Sequence, residues 1–462
     1  MTPTNQRVQF TSKLGFILSA TGSAVGLGNI WKFPGKAYEC GGGAFLLIYI
    51  LMVALLGTTV MLAEFAIGRR THKNAVGAIR QLGRRWAWLG WLGILTGCII
   101  LSYYCQVGGW TIKYIIAYIV DAKNIFADPS AYFLQTLGAE KFPLQGAVIY
   151  PLIFLLSAAF IINRGVVDGI EKMSKILMPL FLVLLIVLMI RACTLPSAAE
   201  GLEYMLTIDF SNVNGSVVLT ALGQAFFSLS LGMGIMLTYA SYLDKDENLV
   251  ANTGIVCVLD TLIALLAGFT IIPAVFATGI APGMGSAFSF TTLAGVFMSI
   301  PGGIAFGVLF YFLLFFAAIT SAISILESTV AFLAEEQNWP RRTSLIIVCT
   351  ILFVVGIFYT LSQVHMDLKG IWWSIEEGIQ YPSFGLFLEY LTDRLLLPVC
   401  AFFLTFFVGW IWGTDEAIKE ATSNGKYKFP LASAWAWLVK FAAPVAIATI
   451  TIAGMILGMS IS

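Results

Sequence analysis

Residues 22 to 35 read GSAVGLGNIWKFPG and interrupt an otherwise apolar run. Glycine lowers helix stability by about 1 kcal/mol relative to alanine, and proline by about 3. Gly22, Gly26, Gly28 and Pro34 therefore predict that a helix through this stretch unwinds. A small-residue seam for helix packing would account for the glycines as well, but it does not account for Asn29 and Lys32. Non-helical backbone survives at membrane depth only where it is buried in protein or lines a cavity. Residues 223 to 234, GQAFFSLSLGMG, repeat the theme: Gln224, Ser228 and Ser230 break an apolar run that ends in Gly232 and Gly234.

Around these two stretches the chain is built for lipid. Of 462 residues, 59% are hydrophobic and 11% charged, where a soluble protein has roughly a quarter charged. An α-helix needs roughly 20 apolar residues to cross the hydrocarbon core, and it satisfies its own backbone while doing so. Such runs lie near residues 14–36, 43–68, 87–119, 146–163, 170–191, 217–240, 249–280, 303–334, 343–361, 385–412 and 433–458, joined mostly by short polar connectors. The expected fold is an all-α membrane protein of about eleven transmembrane helices, one domain over 1–462. Spans one to five (14–191) and six to ten (217–412) form two five-helix halves, with 433–458 as an additional helix. The interrupted helices, spans one and six, hold corresponding positions in the halves, as in inverted-repeat transporters that bind at the repeat interface.

Arg69, Arg70, Lys73, Arg80, Arg84 and Arg85 crowd the second connector, whereas the third carries both signs. Positive charge in short loops resists translocation, so the N-terminus is expected in the cytoplasm, the C-terminus outside, and the chain in the inner (plasma) membrane. No small-residue cleavage site follows the first run, which reads as a retained span and not a signal peptide. The seven cysteines fall mostly within apolar runs without paired spacing, and the two histidines, His72 and His365, are far apart. Neither pattern suggests a disulfide framework or a metal cluster. Trp86, Trp88, Trp91, Trp110, Trp372, Trp373, Trp435 and Trp437 suit an interfacial belt. With no nucleophile, metal or phosphate motif at membrane depth, an enzyme is not expected, nor is a nucleic-acid partner.

Residues 22–34 (GSAVGLGNIWKFP), 41–45 (GGGAF), 64–68 (EFAIG), 226–242 (FFSLSLGMGIMLTYASY) and 315–325 (FFAAITSAISI) resemble the signature segments of the neurotransmitter:sodium symporter family. The likeness runs through ten spans in order, and the eleven-span length resembles the bacterial branch with its LeuT-type fold. It implies sodium-coupled symport of a neutral amino acid by alternating access, with two sodium ions. A first sodium site would use the Ala24 carbonyl, Asn29, Ser228 and Asp260. A second would use the Gly22 and Val25 carbonyls with Ala317, Thr320 and Ser321. Taken alone, Thr320 and Ser321 read as hydroxyls bonding back to their own helix. Asp260 stands where the family commonly has Asn, and Ala264 where its chloride-dependent members have Ser. Tyr49, Gln224 and Ser228 resemble the rest of the chloride site. Asp260 is therefore expected to supply the negative charge that makes chloride unnecessary.

The resemblance also implies a substrate site. The amides of Leu27 and Gly28 with the Tyr104 hydroxyl would cradle the carboxylate, aided by the positive end of a half-helix. Carbonyls around Phe227 and Ser230 would take the ammonium. Gly26 replaces the Asp of monoamine carriers, and Ile100, Phe227, Met233, Ser321, Ser324 and Ile325 would wall the side-chain pocket. Those walls favour hydrophobic or aromatic side chains. On the outer side Lys32 matches the family's gating Arg and Glu389 its acidic partner, with Asp393 one turn further on as a competitor. On the inner side Arg7, Tyr242 and Glu335 resemble the gate network, with Phe10 in place of Trp. Gly169 and Pro179 resemble a segment of the fifth span that unwinds, and a plain helix kink explains them nearly as well. A channel would need a continuous polar lining in place of two isolated polar clusters. An amino-acid sensor that binds without transport fits the same residues as a symporter.

Overall fold

The computed structural model describes residues 8–211, 213–280, 288–365 and 384–457. Among them nine helices are long and apolar enough to cross a membrane: Gly43–Thr71, Arg84–Val120, Leu144–Asn163, Val166–Cys193, Leu249–Thr278, Gly303–Glu336, Arg341–Val364, Phe387–Ala421 and Ala432–Ala453. A tenth span is a bent pair, Lys13–Ala24 and Gly28–Glu39, turned through 49° at its break. The sixth run is also divided, into Gly215–Ser228 and Ile235–Ala240. The described residues are thus largely helical, and each expected apolar run contains helix, broken in two of the runs.

Each break has local causes. Ser12 caps the first span by accepting the Gly15 N–H, and the helix runs to Ala24 before Val25 turns to an extended conformation, ψ 104°. In the sixth span Ser230 (φ 54°), Gly232 (φ 77°) and Gly234 (φ 68°) occupy the left-handed region, which a helix cannot continue through. Asn214 caps the first half through Val217 N–H.

Several expectations need correction. The connectors are not merely polar loops: Ala75–Leu82, Ala198–Leu206 and Leu293–Ser299 are helices of their own. Trp110 does not belong to the interfacial belt; it is fully buried and donates from Nε1 to the Gly146 carbonyl at 2.9 Å. Trp435 is likewise buried, its Nε1 3.4 Å from the Thr59 carbonyl. Trp88, Trp91 and Trp437 are exposed, while Trp372 and Trp373 lie outside the described residues. The segment from Gly169 to Pro179 is not unwound in this structure. Gly169 sits in a π-turn, Val166–Glu171, that runs directly into Lys172–Cys193 with Pro179 inside. A Cβ at Gly169 would lie 2.1 Å from the Ile161 carbonyl, so this glycine permits close approach of the fourth and fifth spans.

Candidate functional site

The two breaks face each other, and a chain of hydroxyls joins them. Ser230 Oγ donates to the Ser23 carbonyl at 2.9 Å, and Ser23 Oγ lies 2.7 Å from Ser324 Oγ. Ser321 Oγ donates to the Ser23 carbonyl at 3.0 Å and is 3.4 Å from that of Val25. Carbonyls in the last helical turn before the first break and in the break itself are thereby met by side chains from the sixth and eighth spans. Ser23 is at the centre of this network, although its residue type gave no sign of it.

A second cluster surrounds Asp260, which is fully buried in the seventh span. Its Oδ2 accepts from Ser228 Oγ at 2.7 Å and its Oδ1 from Asn29 Nδ2 at 2.8 Å. The Tyr49 hydroxyl stands 3.3 Å from Ser228 Oγ and 3.5 Å from Asp260 Oδ2. Asn29, Ser228 and Asp260 are thus brought together from three spans, with Ala264 buried one turn along from Asp260. Gln224 reaches the Gly28 carbonyl at 2.9 Å rather than this carboxylate. The Asn29 amide oxygen accepts the Gly26 N–H at 3.1 Å, so it is turned toward its own break.

Two of the residues expected to cradle a carboxylate meet directly. Leu27 N–H donates to the Tyr104 hydroxyl at 2.9 Å. A Cβ on Gly26 would fall 2.4 Å from Ser321 Oγ and 2.5 Å from the Tyr104 hydroxyl; a Cβ on Gly28 would meet the Phe227 ring at 2.8 Å. Ile100, Met233, Ser324 and Ile325 are all buried, and a Cβ on Gly97 would lie 3.4 Å from Ile325 and 3.9 Å from Met233. Of the other expected ion ligands, Ala24, Val25 and Ala317 are buried. A Cβ on Gly22 would be 3.5 Å from Thr320 Cβ. The Thr320 hydroxyl bonds to the Phe316 and Ala317 carbonyls of its own helix, at 3.0 and 3.1 Å.

At the Lys32 end the pairing differs from the one expected first. Lys32 Nζ contacts Asp393 Oδ2 at 2.6 Å, whereas Glu389 accepts from the Tyr359 hydroxyl at 2.9 Å. Lys32 Nζ also lies 3.9 Å from the Phe227 ring centroid and 5.7 Å from that of Tyr103, a cation–π arrangement that seats the pair directly over Phe227. At the opposite end Tyr242 donates to Glu327 Oε1 at 2.8 Å, and Arg341 binds both oxygens of the same carboxylate. Glu335 accepts from the Asn74 backbone and side chain, both at 2.9 Å. Arg7 lies outside the described residues. Phe10 packs edge-on against Tyr242 and Tyr239 with centroids at 6.3 and 6.0 Å, and its N–H donates to the Tyr242 carbonyl.

Glu64 and Glu327 are further buried acids of this region, absent from the residues expected from sequence. Glu64, buried in the second span, accepts Gly232 N–H at 2.8 Å and Leu237 N–H at 3.3 Å. Gly232 lies in the break and Leu237 in the first turn of Ile235–Ala240, so neither amide has an intrahelical acceptor. A buried acid within the quoted EFAIG segment was the available signal, since such groups at membrane depth are costly and held by partners.

A model of the sodium:neurotransmitter symporter family matches residues 7–123 and 123–461. A sodium-dependent transporter of Bacillus subtilis, YhdH, is 34% identical over 456 residues, 95% of this chain and 96% of its own length. A sodium-dependent transporter of Haemophilus influenzae is 33% identical over 467 residues, 98% of this chain and all of its own. Among solved structures, MhsT in complex with L-phenylalanine superposes with a TM-score of 0.87 at 37% identity, covering 97% of this chain and 100% of MhsT.

Proposed function

This chain belongs to the sodium:neurotransmitter symporter family, and from that premise we propose that it imports a neutral amino acid with a hydrophobic or aromatic side chain, driven by two sodium ions and independent of chloride. The observation that carries the reading is the meeting of Asn29, Ser228 and Asp260 beside a side-chain-free Gly26 and the Leu27–Tyr104 pair. Oxygen ligands suit a hard cation, and an amino acid carboxylate would lie between the ion and the Leu27 and Gly28 amides. Any side chain at position 26 would take the space that a substrate's own carboxylate needs. The phenylalanine in MhsT is consistent with the apolar walls at Ile100, Phe227, Met233 and Ile325.

Transport by alternating access follows from the two ends. Breaking Lys32–Asp393 would free Phe227 to open the site outward; separating Phe10 and Tyr242 from Glu327 and its Arg341 partner would open it inward. The inverted relation of spans one to five and six to ten, the cytoplasmic N-terminus and the inner-membrane location complete the proposal. Each sodium entering down a tenfold gradient and 100 mV yields about 1.4 plus 2.3 kcal/mol. Two ions would therefore support accumulation by roughly five decades. The test is radiolabelled phenylalanine uptake into proteoliposomes against a panel of the twenty amino acids, in sodium and in potassium. Uptake that is sodium-driven and displaced best by hydrophobic or aromatic residues is expected; equal uptake in potassium would refute the coupling.

A further inference from the structure

One face of the bundle, where the third, tenth and eleventh spans meet, carries cations that the substrate and ion sites do not use. Two π-turns pack there, Phe407–Gly413 of the tenth span and Leu438–Ala442 of the eleventh. They press closely: a Cβ on Gly409 would lie 2.9 Å from Lys440 Cα. Trp410 Nε1 donates to the Lys440 carbonyl at 2.9 Å, and Lys440 Nζ stands 4.8 Å from the centroid of the same indole. Trp410 is 50% exposed, and Phe441, edge-on to it at 5.4 Å, is exposed as well. The indole therefore stands on the outer wall of the bundle with an ammonium over its face.

Lys440 belongs to the apolar span Ala432–Ala453, where an ionisable side chain is held by a partner or reaches for the interface. No carboxylate among the described residues pairs with it. Two further cations reach the same turn. A Cβ on Gly83 would meet Phe407 at 2.8 Å and Ile411 at 3.3 Å, so the third span begins against the π-turn that holds Trp410. Arg84 and Arg85 follow directly; both are exposed, and neither has an ion pair among the described residues. From this level a row of rings runs toward the middle of the tenth span. Phe406 stacks 6.4 Å from Trp410, Trp86 stacks 5.6 Å from Phe406, and Trp88 meets Phe403 edge-on at 4.9 Å.

Three unpaired cations at one end of an exposed aromatic row suit a ligand with a negative head and long apolar chains. We propose that this face binds an anionic glycerophospholipid, its phosphodiester held by Lys440, Arg84 and Arg85 and its acyl chains laid along Phe406, Phe403 and Trp88. Basic pockets between membrane helices attract anionic headgroups, and hydrogen bonds from such cations to phosphate are charge-assisted. The Trp410–Lys440 bond fixes the indole before the lipid arrives, which lowers the ordering cost of binding. Phosphatidylcholine carries its own cation beside the phosphate and gains little from three more.

The test uses the full chain in detergent, titrated with phosphatidylglycerol or phosphatidylcholine of the same acyl chains. Bound lipid is counted by native mass spectrometry and the melting temperature is followed in parallel. Each cation near a membrane surface is worth about fivefold in affinity for an anionic headgroup. Wild type should therefore bind phosphatidylglycerol at least tenfold more tightly than phosphatidylcholine, and the anionic lipid should raise its melting temperature more. Lys440→Met should weaken phosphatidylglycerol about fivefold, and Arg84→Gln combined with Arg85→Gln more than tenfold, with phosphatidylcholine unchanged in both. Lys440→Arg should retain binding. Arg342→Gln removes one exposed charge at the same end of the molecule, six residues beyond the Glu336 that pairs with Arg80, and should bind as wild type. Equal affinity of wild type for the two lipids would overturn the proposal. So would Lys440→Met and the arginine variant binding phosphatidylglycerol no more weakly than Arg342→Gln, since the lipid would then answer to net charge and not to this face. Where the double arginine variant does not fold, Lys440→Met, which places an apolar side chain in an apolar span, decides by the same readings.

Discussion

Replacing Asp260 by Asn should convert the first ion position from self-sufficient to short of negative charge. Asp260 is fully buried and touches Ser228 Oγ at 2.7 Å and Asn29 Nδ2 at 2.8 Å. A sodium ion bound there would be ligated by the carboxylate directly, and even at roughly 5 Å an effective dielectric of about 20 would give an attraction of about 3 kcal/mol. Losing it corresponds to about two decades in apparent sodium affinity. Asn is nearly isosteric and retains an acceptor for one of the two short contacts, so the loss reports charge more than shape.

The assay is sodium titration of uptake in chloride and in gluconate media. Wild type should give equal curves in both. Asp260→Asn should shift its curve upward by about a hundredfold in sodium, and Asp260→Asn with Ala264→Ser should recover in chloride but not in gluconate. The added hydroxyl would stand one turn along the helix from Asp260, whose carboxylate touches Ser228 and Tyr49, where an anion could replace it. Wild-type uptake that collapses in gluconate would refute the reasoning. So would Asp260→Asn with an unshifted sodium curve, since a carboxylate that only packs has no charge to lose.

Four further outcomes are expected. Gly26→Ala should abolish uptake in correctly folded protein, because its Cβ would lie about a full ångström too close to Ser321 Oγ and the Tyr104 hydroxyl; substrate binding by scintillation proximity checks it. Asp393→Asn should speed substrate escape to the Lys32 side more than Glu389→Gln does, as measured by dissociation rate, because Lys32 contacts Asp393 directly. Ser321→Ala and Thr320→Ala should each weaken sodium affinity by about tenfold, a larger effect than either has on the competition panel. Met233→Phe should reorder that panel toward smaller side chains, and an unchanged panel would remove Met233 from the pocket wall.

The spans were legible because lipid imposes one rule on every crossing segment: a long apolar run that satisfies its own backbone. The two breaks were legible for the opposite reason, since glycines, proline and polar side chains in such a run oppose the rule locally. What stayed hidden depends on register and distance. Ala198–Leu206 and Leu293–Ser299 are too short for hydropathy to mark as spans and lie in what reads as connector. Glu389 and Asp393 are four residues apart, one turn on one helix face, so spacing leaves both within reach of Lys32. A π-turn over Leu391–Leu396 holds Asp393, and such a turn widens the helix and alters the facing of its side chains. Spacing cannot foresee that.

Ser23 and Glu64 show why the break itself holds together. A broken helix in a dry interior leaves amides and carbonyls without partners, each costing about 1–3 kcal/mol if unmet. At the first break Ser321 and Ser230 both donate to the Ser23 carbonyl; at the sixth, Glu64 accepts two amides. Every one of these partners comes from a different helix than the group it satisfies. The breaks are therefore stable only as a set, and a movement of the first span that withdraws the Ser23 carbonyl must leave Ser230 and Ser321 to find other acceptors.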